Sequence, residues 1–402
     1  MRIALIAAAL MILCVAIFGQ KRTISDAEVQ RVHKAALLID THNDVPWRVV
    51  DGFDIGSNTG TWHTDLPRLK AGRVGGVFFV AYVAGEYVDG NRSAHRALET
   101  IDAVRHGIIE RYPNDFEFAT SVREIEQARK DGKIAALIGL EGGHAIEDNL
   151  GLLRDYYNLG VRYMTLTHTN TNDWADSSGD ATKAGVKHHN GLTDFGKQVV
   201  REMNRLGMMV DISHTADATF SDALAVSTAP IIASHSSSRA LTNHPRNLTD
   251  AMISALAKKG GVVQVNVNCN FISEEYRAAQ AAEEPRLEAR FKEVTAGKKL
   301  NENETDGTYE RLRLEMKLTR ATLSDVVDHI DHVRQVGGID AVGIGTDFNG
   351  ITCAPEGLED VSKFPNLTRA LLERGYTEAD IKKIYSGNLL RVMKAVEAAS
   401  GK

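Results

Sequence analysis

The sequence predicts an α/β fold of the (β/α)8 TIM-barrel class, on three observations. Short apolar, β-branched runs recur along the chain, amphipathic stretches of helical period separate them, and nearly every run ends in a residue able to bind a metal or move a proton. With 43% hydrophobic residues in 402, the chain has ample material for one large core.

In order, the runs are "ALLIDTH" (36–42), "VGGVFFVAYV" (74–83), "KIAALIGLEGG" (133–143) and "VRYMTLTH" (161–168). The second half continues with "MMVDISH" (208–214), "PIIASH" (230–235), "GVVQVNVN" (261–268) and "DAVGIGTD" (340–347). Stretches such as "ALETIDAVRHGIIERY" and "GLTDFGKQVVREMNRLG" supply the helices between them. A doubly wound open sheet would need a glycine-rich nucleotide turn after the first strand, and "THNDVPW" is not one.

The chain divides into residues 1–20 and a single domain over 21–402. Arg2 followed by "IALIAAALMILCVAIFG" reads as a secretory signal cleaved near Gly19 or Gln20, with an uncleaved N-terminal membrane anchor as the alternative. Export to the periplasm or the medium is the expectation. The C-terminal "VMKAVEAASGK" carries no apolar tail of the lipid-anchor kind. A net charge of −6, from 47 basic and 53 acidic residues, excludes a nucleic-acid binder of the usual basic type. Cys269 and Cys353 could pair in an oxidising compartment, but spacing alone leaves that open.

The strand ends carry the chemistry. His42 and Asp44 lie two apart, so they point the same way where the first strand emerges. Glu141 ends the third strand, His168 the fourth, His214 the fifth, His235 the sixth and Asp347 the eighth. All fall on the C-terminal face, where this fold builds active sites. One such residue would be explained by capping loop amides; seven on one face are not.

Four His, one Glu and two Asp, without Cys, suit a borderline-hard divalent ion such as zinc. There are too many donors for one tetrahedral ion, so Glu141 is read as bridging two Zn2+ ions. His42, Asp44 and Glu141 take one ion, and Glu141, His214 and His235 the other. Two ions about 3.5–4 Å apart can hold a hydroxide and polarise a carbonyl. His168 and Asp347 are left as the oxyanion donor and the proton shuttle. "SHSSS" (234–238) lacks the elbow of a serine hydrolase.

With these residues in hand, the sequence resembles the membrane (renal) dipeptidase family of zinc peptidases. Colinear blocks carry the likeness: "LIDTHNDVPW", "GLEGGHAIEDNLGLLRDYYNLGVRYMTLTHTNTNDWADSS", "GLTDFGKQVVREMNRLGMMVDISH", "APIIASHSSSRALTNHPRN" and "VGIGTDFNG". The resemblance implies a binuclear-zinc dipeptidase that tolerates a D-residue at the C-terminal position. It implies the same ligand set, with His168 at the scissile carbonyl. It also implies that Arg246 binds the substrate carboxylate; by itself Arg246 reads as a solvated loop cation. Another binuclear metallohydrolase, such as an N-acyl-amino-acid deacylase or lactonase, is the alternative, and a non-catalytic metal-binding barrel comes after it. The missing tail points to a bacterial exported member.

A charged segment over residues 271–320 is too long for an ordinary βα loop and has helical composition. Phe271, Tyr276, Phe291 and Tyr309 would anchor it as a helical hairpin, serving as a lid or pocket rim, or as a homodimer contact. His63 and His144 are expected in supporting or loop roles, His188 and His189 in a polar loop, and Met203, Met208 and Met209 in the core.

Overall fold

The computed structural model describes residues 23–401 except 58, 59, 61 and 301, so the expected signal or anchor at 1–20 lies outside the described residues. Among the described residues nine strands follow one another: β1 (Leu38–Asn43), β2 (Val74–Tyr82), β3 (Phe116–Phe118), β4 (Ile134–Glu141), β5 (Val161–Thr165), β6 (Met209–Asp211), β7 (Ile232–Ala233), β8 (Val262–Val265) and β9 (Val342–Ile344). All pair in parallel in the order β1-β2-β4-β5-β6-β7-β8-β9, with β3 attached to β4 off this path. A bridge between Asn43 and Phe348, with Asp44 N–H donating to Phe348 O at 2.9 Å and Asp347 N–H to His42 O at 3.0 Å, joins the last strand to the first. The result is the predicted (β/α)8 barrel.

Parallel strands buried on both faces read as continuous apolar runs, which is why the sequence declares them. In β2, Val77, Phe79 and Ala81 pack outward into the main core with the helices, while Phe78 and Val80 join Leu137 and Tyr163 in a second cluster. Met203, Met208 and Met209 are buried, as expected.

Two corrections concern strand extent. β3 was not anticipated; three residues are too few to show a period. The runs ending in His214, His235 and Asp347 stay in the sheet for only two or three residues, and the chemistry-bearing residues stand beyond it. His214 and Asp347 adopt left-handed backbone, at φ 66° and 64°, which no strand accommodates.

The segment after β8 is a helical hairpin, Glu274–Thr295 followed by Glu302–Glu315. Phe291 and Tyr309 stack between its arms with centroids 4.0 Å apart, and Tyr276 is buried. Cys269 and Cys353 form a disulfide. Among the described residues, no helix is long and apolar enough to cross a membrane.

Candidate metal centre and active site

At the C-terminal mouth of the barrel, three imidazoles converge on one carboxylate oxygen. Glu141 Oε1 lies 3.4 Å from His42 Nε2, 3.1 Å from His214 Nε2 and 3.2 Å from His235 Nε2. His42 Nε2 is also 3.5 Å from Asp44 Oδ2. All five predicted ligands therefore meet, with Glu141 at the centre. His42, Asp44 and Asp347 form a second group close enough to share a cation, as do Glu141, His168 and His214.

The electrostatics of the cluster fit a cation. His42 Nε2, both Asp44 oxygens and Glu141 Oε1 are buried without a directed hydrogen bond. Burial, with Glu141 and Asp347 close by, lifts the Asp44 carboxyl well above its ordinary range despite the opposing His42. Burial alone would raise Glu141 too, but the imidazoles around it hold it well below that range. Buried carboxylates crowded with imidazole nitrogens are a donor set for a divalent metal, and the lack of sulfur matches zinc or a harder ion.

A surrounding layer fixes the imidazole tautomers. Asp211, which ends β6, accepts from Ser213 N–H at 3.1 Å and Ser234 N–H at 2.8 Å on one oxygen. Its other oxygen accepts from Thr165 Oγ1 at 2.5 Å and Ser234 Oγ at 2.6 Å. Because Ser234 donates to Asp211, it can only accept from His235 Nδ1, 2.8 Å away. His235 then carries its proton on Nδ1 and aims a bare Nε2 at Glu141. Tyr163 does the same for His42: its hydroxyl is 3.0 Å from Thr41 O and 2.9 Å from His42 Nδ1. A side chain at position 139 would strike that ring at 2.2 Å, so Gly139 is required.

Asp347 sits beside this cluster with Oδ2 accepting from Asn266 Nδ2 at 2.9 Å. Burial lifts its pKa to about 6, aided by Glu141 and opposed by His42. A side chain at position 350 would meet both Asp347 and Asp44 at 2.5 Å, so Gly350 lets the backbone pass. His168 packs between Tyr82 and His214, with ring centroids at 4.8 and 4.3 Å. Its burial pushes the pKa down to about 4, so it is neutral near pH 7. His63 and His144 flank the centre in supporting positions, while His188 and His189 lie in the loop before helix Asp194–Leu206.

A cavity of about 300 Å³ opens over the centre, lined by Glu141, His168, His214 and Asp347 together with Trp47, Tyr82 and Phe271. Arg246 is buried and does not line this cavity. Its Nη2 donates to His235 O at 3.2 Å, and its guanidinium carbon lies 5.4 Å from the Phe271 ring. Among the described residues of the long insertion, only Phe271, at its base, reaches the cavity. Tyr276, Arg313 and Leu314 line a neighbouring 230 Å³ cavity that shares His63 and Thr352 with it.

The sequence reading missed Asp211, Ser234, Tyr163 and the glycines. A carboxylate ending a strand three residues before a candidate ligand histidine, as in "DISH", is the one signal that could have found Asp211.

Comparison with known proteins shows the family and the fold. Residues 26–402 match the family model described as membrane dipeptidase, peptidase family M19. The chain is 39% identical over 381 residues to dipeptidase verJ of Clonostachys rogersoniana, covering 91% of this chain and 85% of that protein. Among solved structures, the "probable dipeptidase PvdM" of Pseudomonas aeruginosa superposes with a TM-score of 0.79 at 28% identity, covering 93% and 99% of the two chains. A metallopeptidase described as dipeptidase AC gives 0.74 at 25% identity, over 90% and 98%.

Proposed function

The chain belongs to the membrane dipeptidase family, peptidase family M19, and from that premise we propose a zinc-dependent dipeptidase with two ions sharing Glu141. The family is metal-dependent and acts as a dipeptide hydrolase. The finer reading rests on one observation above all: three imidazole Nε2 atoms converge on a single Glu141 oxygen, with Asp44 beside them.

His42, Asp44 and Glu141 would hold one ion, and Glu141, His214 and His235 the other. Two zinc ions there would polarise the scissile carbonyl and supply a hydroxide at neutral pH. The remaining work falls to the chain's own groups. Neutral His168 donates an N–H to the carbonyl oxygen as negative charge grows on it. Asp347 takes up a proton and returns it to the leaving amine, a task suited to a carboxyl lifted to about 6. Arg246 attracts the free α-carboxylate from behind Phe271, which limits substrates to two residues. Dipeptides with a D-residue at the C-terminal position fall within the proposed range.

The disulfide supports an oxidising destination, consistent with export through the apolar N-terminal run, whether that run is cleaved or kept as a tether. The test joins metal analysis of the purified protein to a panel of L-L, L-D and D-L dipeptides with N-acyl amino acids alongside. About two zinc ions per chain and turnover of L-L and L-D dipeptides are expected. Preference for N-acyl amino acids would replace the dipeptidase reading with that of a deacylase.

A further inference from the structure

The carboxylate proposed to move the proton is gripped from outside the cavity. Asn266 directly follows β8, is fully buried and does not line the catalytic cavity. Its Nδ2 donates to Asp347 Oδ2 at 2.9 Å. The amide is not free to turn over, because Asn268 N–H donates to its Oδ1 at 2.6 Å. A backbone N–H needs an acceptor opposite it, so the NH2 end of Asn266 is committed to Asp347. Next along the chain, Cys269 N–H donates to Cys353 O at 2.9 Å, and the two cysteines are bonded through their side chains. The loop leaving β8 is thereby fastened to the loop leaving β9, which carries Asp347.

The Asp347 backbone is itself pinned in the left-handed region. Its N–H donates to His42 O at 3.0 Å, and its C=O accepts from Gly350 N–H at 3.0 Å. What is left to fix is the rotation of the side chain, and the two oxygens of a carboxylate are equivalent until a neighbour distinguishes them. Asn266 does so. Oδ2 faces its N–H, whereas Oδ1 lies on the side of Asp44: a Cβ at Gly350 would stand 2.5 Å from Asp347 Oδ1 and 2.5 Å from Asp44 Oδ2. In a protonated carboxyl the hydroxyl oxygen is the poorer acceptor, so the amide keeps Oδ2 as the carbonyl oxygen and the proton goes to Oδ1. We propose that Asn266 is a positioning residue for the reaction, aiming Asp347 so that Oδ1 takes up the proton and returns it to the leaving amine. This rests on the proton-shuttle reading above and extends it to the residue that aims the shuttle.

The experiment is a double-mutant cycle on kcat between Asn266→Ala and Asp347→Asn, run on the dipeptide that wild type turns over best, with metal content measured for every protein. In the otherwise native enzyme Asn266→Ala should lower kcat about tenfold to a hundredfold, the cost of a misplaced reacting group, with KM and metal content close to wild type. In the Asp347→Asn background the same change should alter kcat by less than about twofold, because a residue that acts through another loses its effect once that one is gone. Asn266→Asp keeps an acceptor for Asn268 N–H, and with it the loop, but removes the donor; it should lower kcat as Asn266→Ala does. Urea midpoints of the apoproteins give a readout independent of turnover, and there too Asn266→Ala and Asp347→Asn should fall short of additivity.

Wild-type kcat in a folded, metal-loaded Asn266→Ala or Asn266→Asp protein overturns the proposal, and the shuttle stands if Asp347→Asn keeps its loss. Equal losses from Asn266→Ala in both backgrounds also overturn it, since Asn266 then acts on something other than Asp347. So does a loss expressed only in KM or in metal content. Near-normal kcat in Asp347→Asn removes the shuttle itself and the proposal with it. Should Asn266→Ala not fold, Asn266→Asp completes the same cycle.

Discussion

Replacing Asp211 by Asn should weaken metal binding although Asp211 touches no predicted ion site. In the native protein one Asp211 oxygen faces two backbone N–H groups and the other faces two hydroxyls. An Asn must keep its carbonyl oxygen toward the two N–H groups, since an amide NH2 there would oppose both. Its NH2 then points at Thr165 and Ser234, and both hydroxyls must turn to accept. The Ser234 proton moves to its nearest remaining acceptor, His235 Nδ1, 2.8 Å away. That forces the ring proton onto Nε2, the atom 3.2 Å from Glu141 Oε1, and removes the lone pair a metal needs. Changes in such supporting groups cost about 10–100-fold in metal affinity, and the lost charge-assisted bonds about 1.5–3 kcal/mol of stability. Competition against a chromophoric chelator measures the first, and urea denaturation of the apoprotein the second. Ser234→Ala, which leaves His235 free to choose its tautomer, should weaken binding less. A folded Asp211→Asn protein that binds both ions as tightly as wild type would refute the tautomer relay.

Three further outcomes follow from the geometry. Glu141→Gln should lower occupancy at both ions and remove most activity, whereas His42→Ala should empty mainly one ion and His235→Ala mainly the other; retention of two tight ions in Glu141→Gln, by metal analysis, would end the bridging assignment. Asp347→Asn should keep its metals while turnover drops by about 10²–10⁴, the usual worth of a positioned acid–base group, and near-normal kcat with metals intact would rule out the proton shuttle. His329 is buried with Nδ1 accepting from Ser238 N–H at 3.0 Å, and burial pushes its pKa to about 4. The unfolded chain therefore takes up the proton first. The stability from His329 is complete above pH 6.5 and drains away as pH falls toward 4, by about 2 kcal/mol between pH 7 and pH 5. Denaturation curves of wild type and His329→Gln should diverge over that window; parallel pH dependence would contradict it.

Much of the fold was legible because buried parallel strands and amphipathic helices each impose their own period. The ends of the strands were less so. His214 and Asp347 sit at positive φ, where local preference would place Gly or Asn, so nothing in their neighbourhood announces that the chain has left the sheet. The candidate ligand types were visible since few structural roles need His or Glu on one rim repeatedly. The hairpin after β8 announced itself by length and charge, but which of its residues face the cavity depends on packing that no spacing encodes.

The least legible part of the site is also the most repetitive. Asp40 accepts from Thr346 N–H at 2.8 Å on one oxygen and from Thr346 Oγ1 at 2.6 Å on the other. Asp211 holds Ser234 in the same manner, at 2.8 Å from N–H and 2.6 Å from Oγ. Each carboxylate thus grips the residue directly before a functional one, Thr346 before Asp347 and Ser234 before His235. A two-point grip leaves that residue little freedom to rotate, and so fixes where the next side chain starts. Burial raises the Asp40 carboxyl even against these hydrogen bonds, so keeping the charge there costs stability. A fold needing only closure of the barrel could have used apolar packing at both places. The cost makes sense if the chemistry needs Asp347 and His235 held within a fraction of an ångström, as a metal centre and a proton shuttle do.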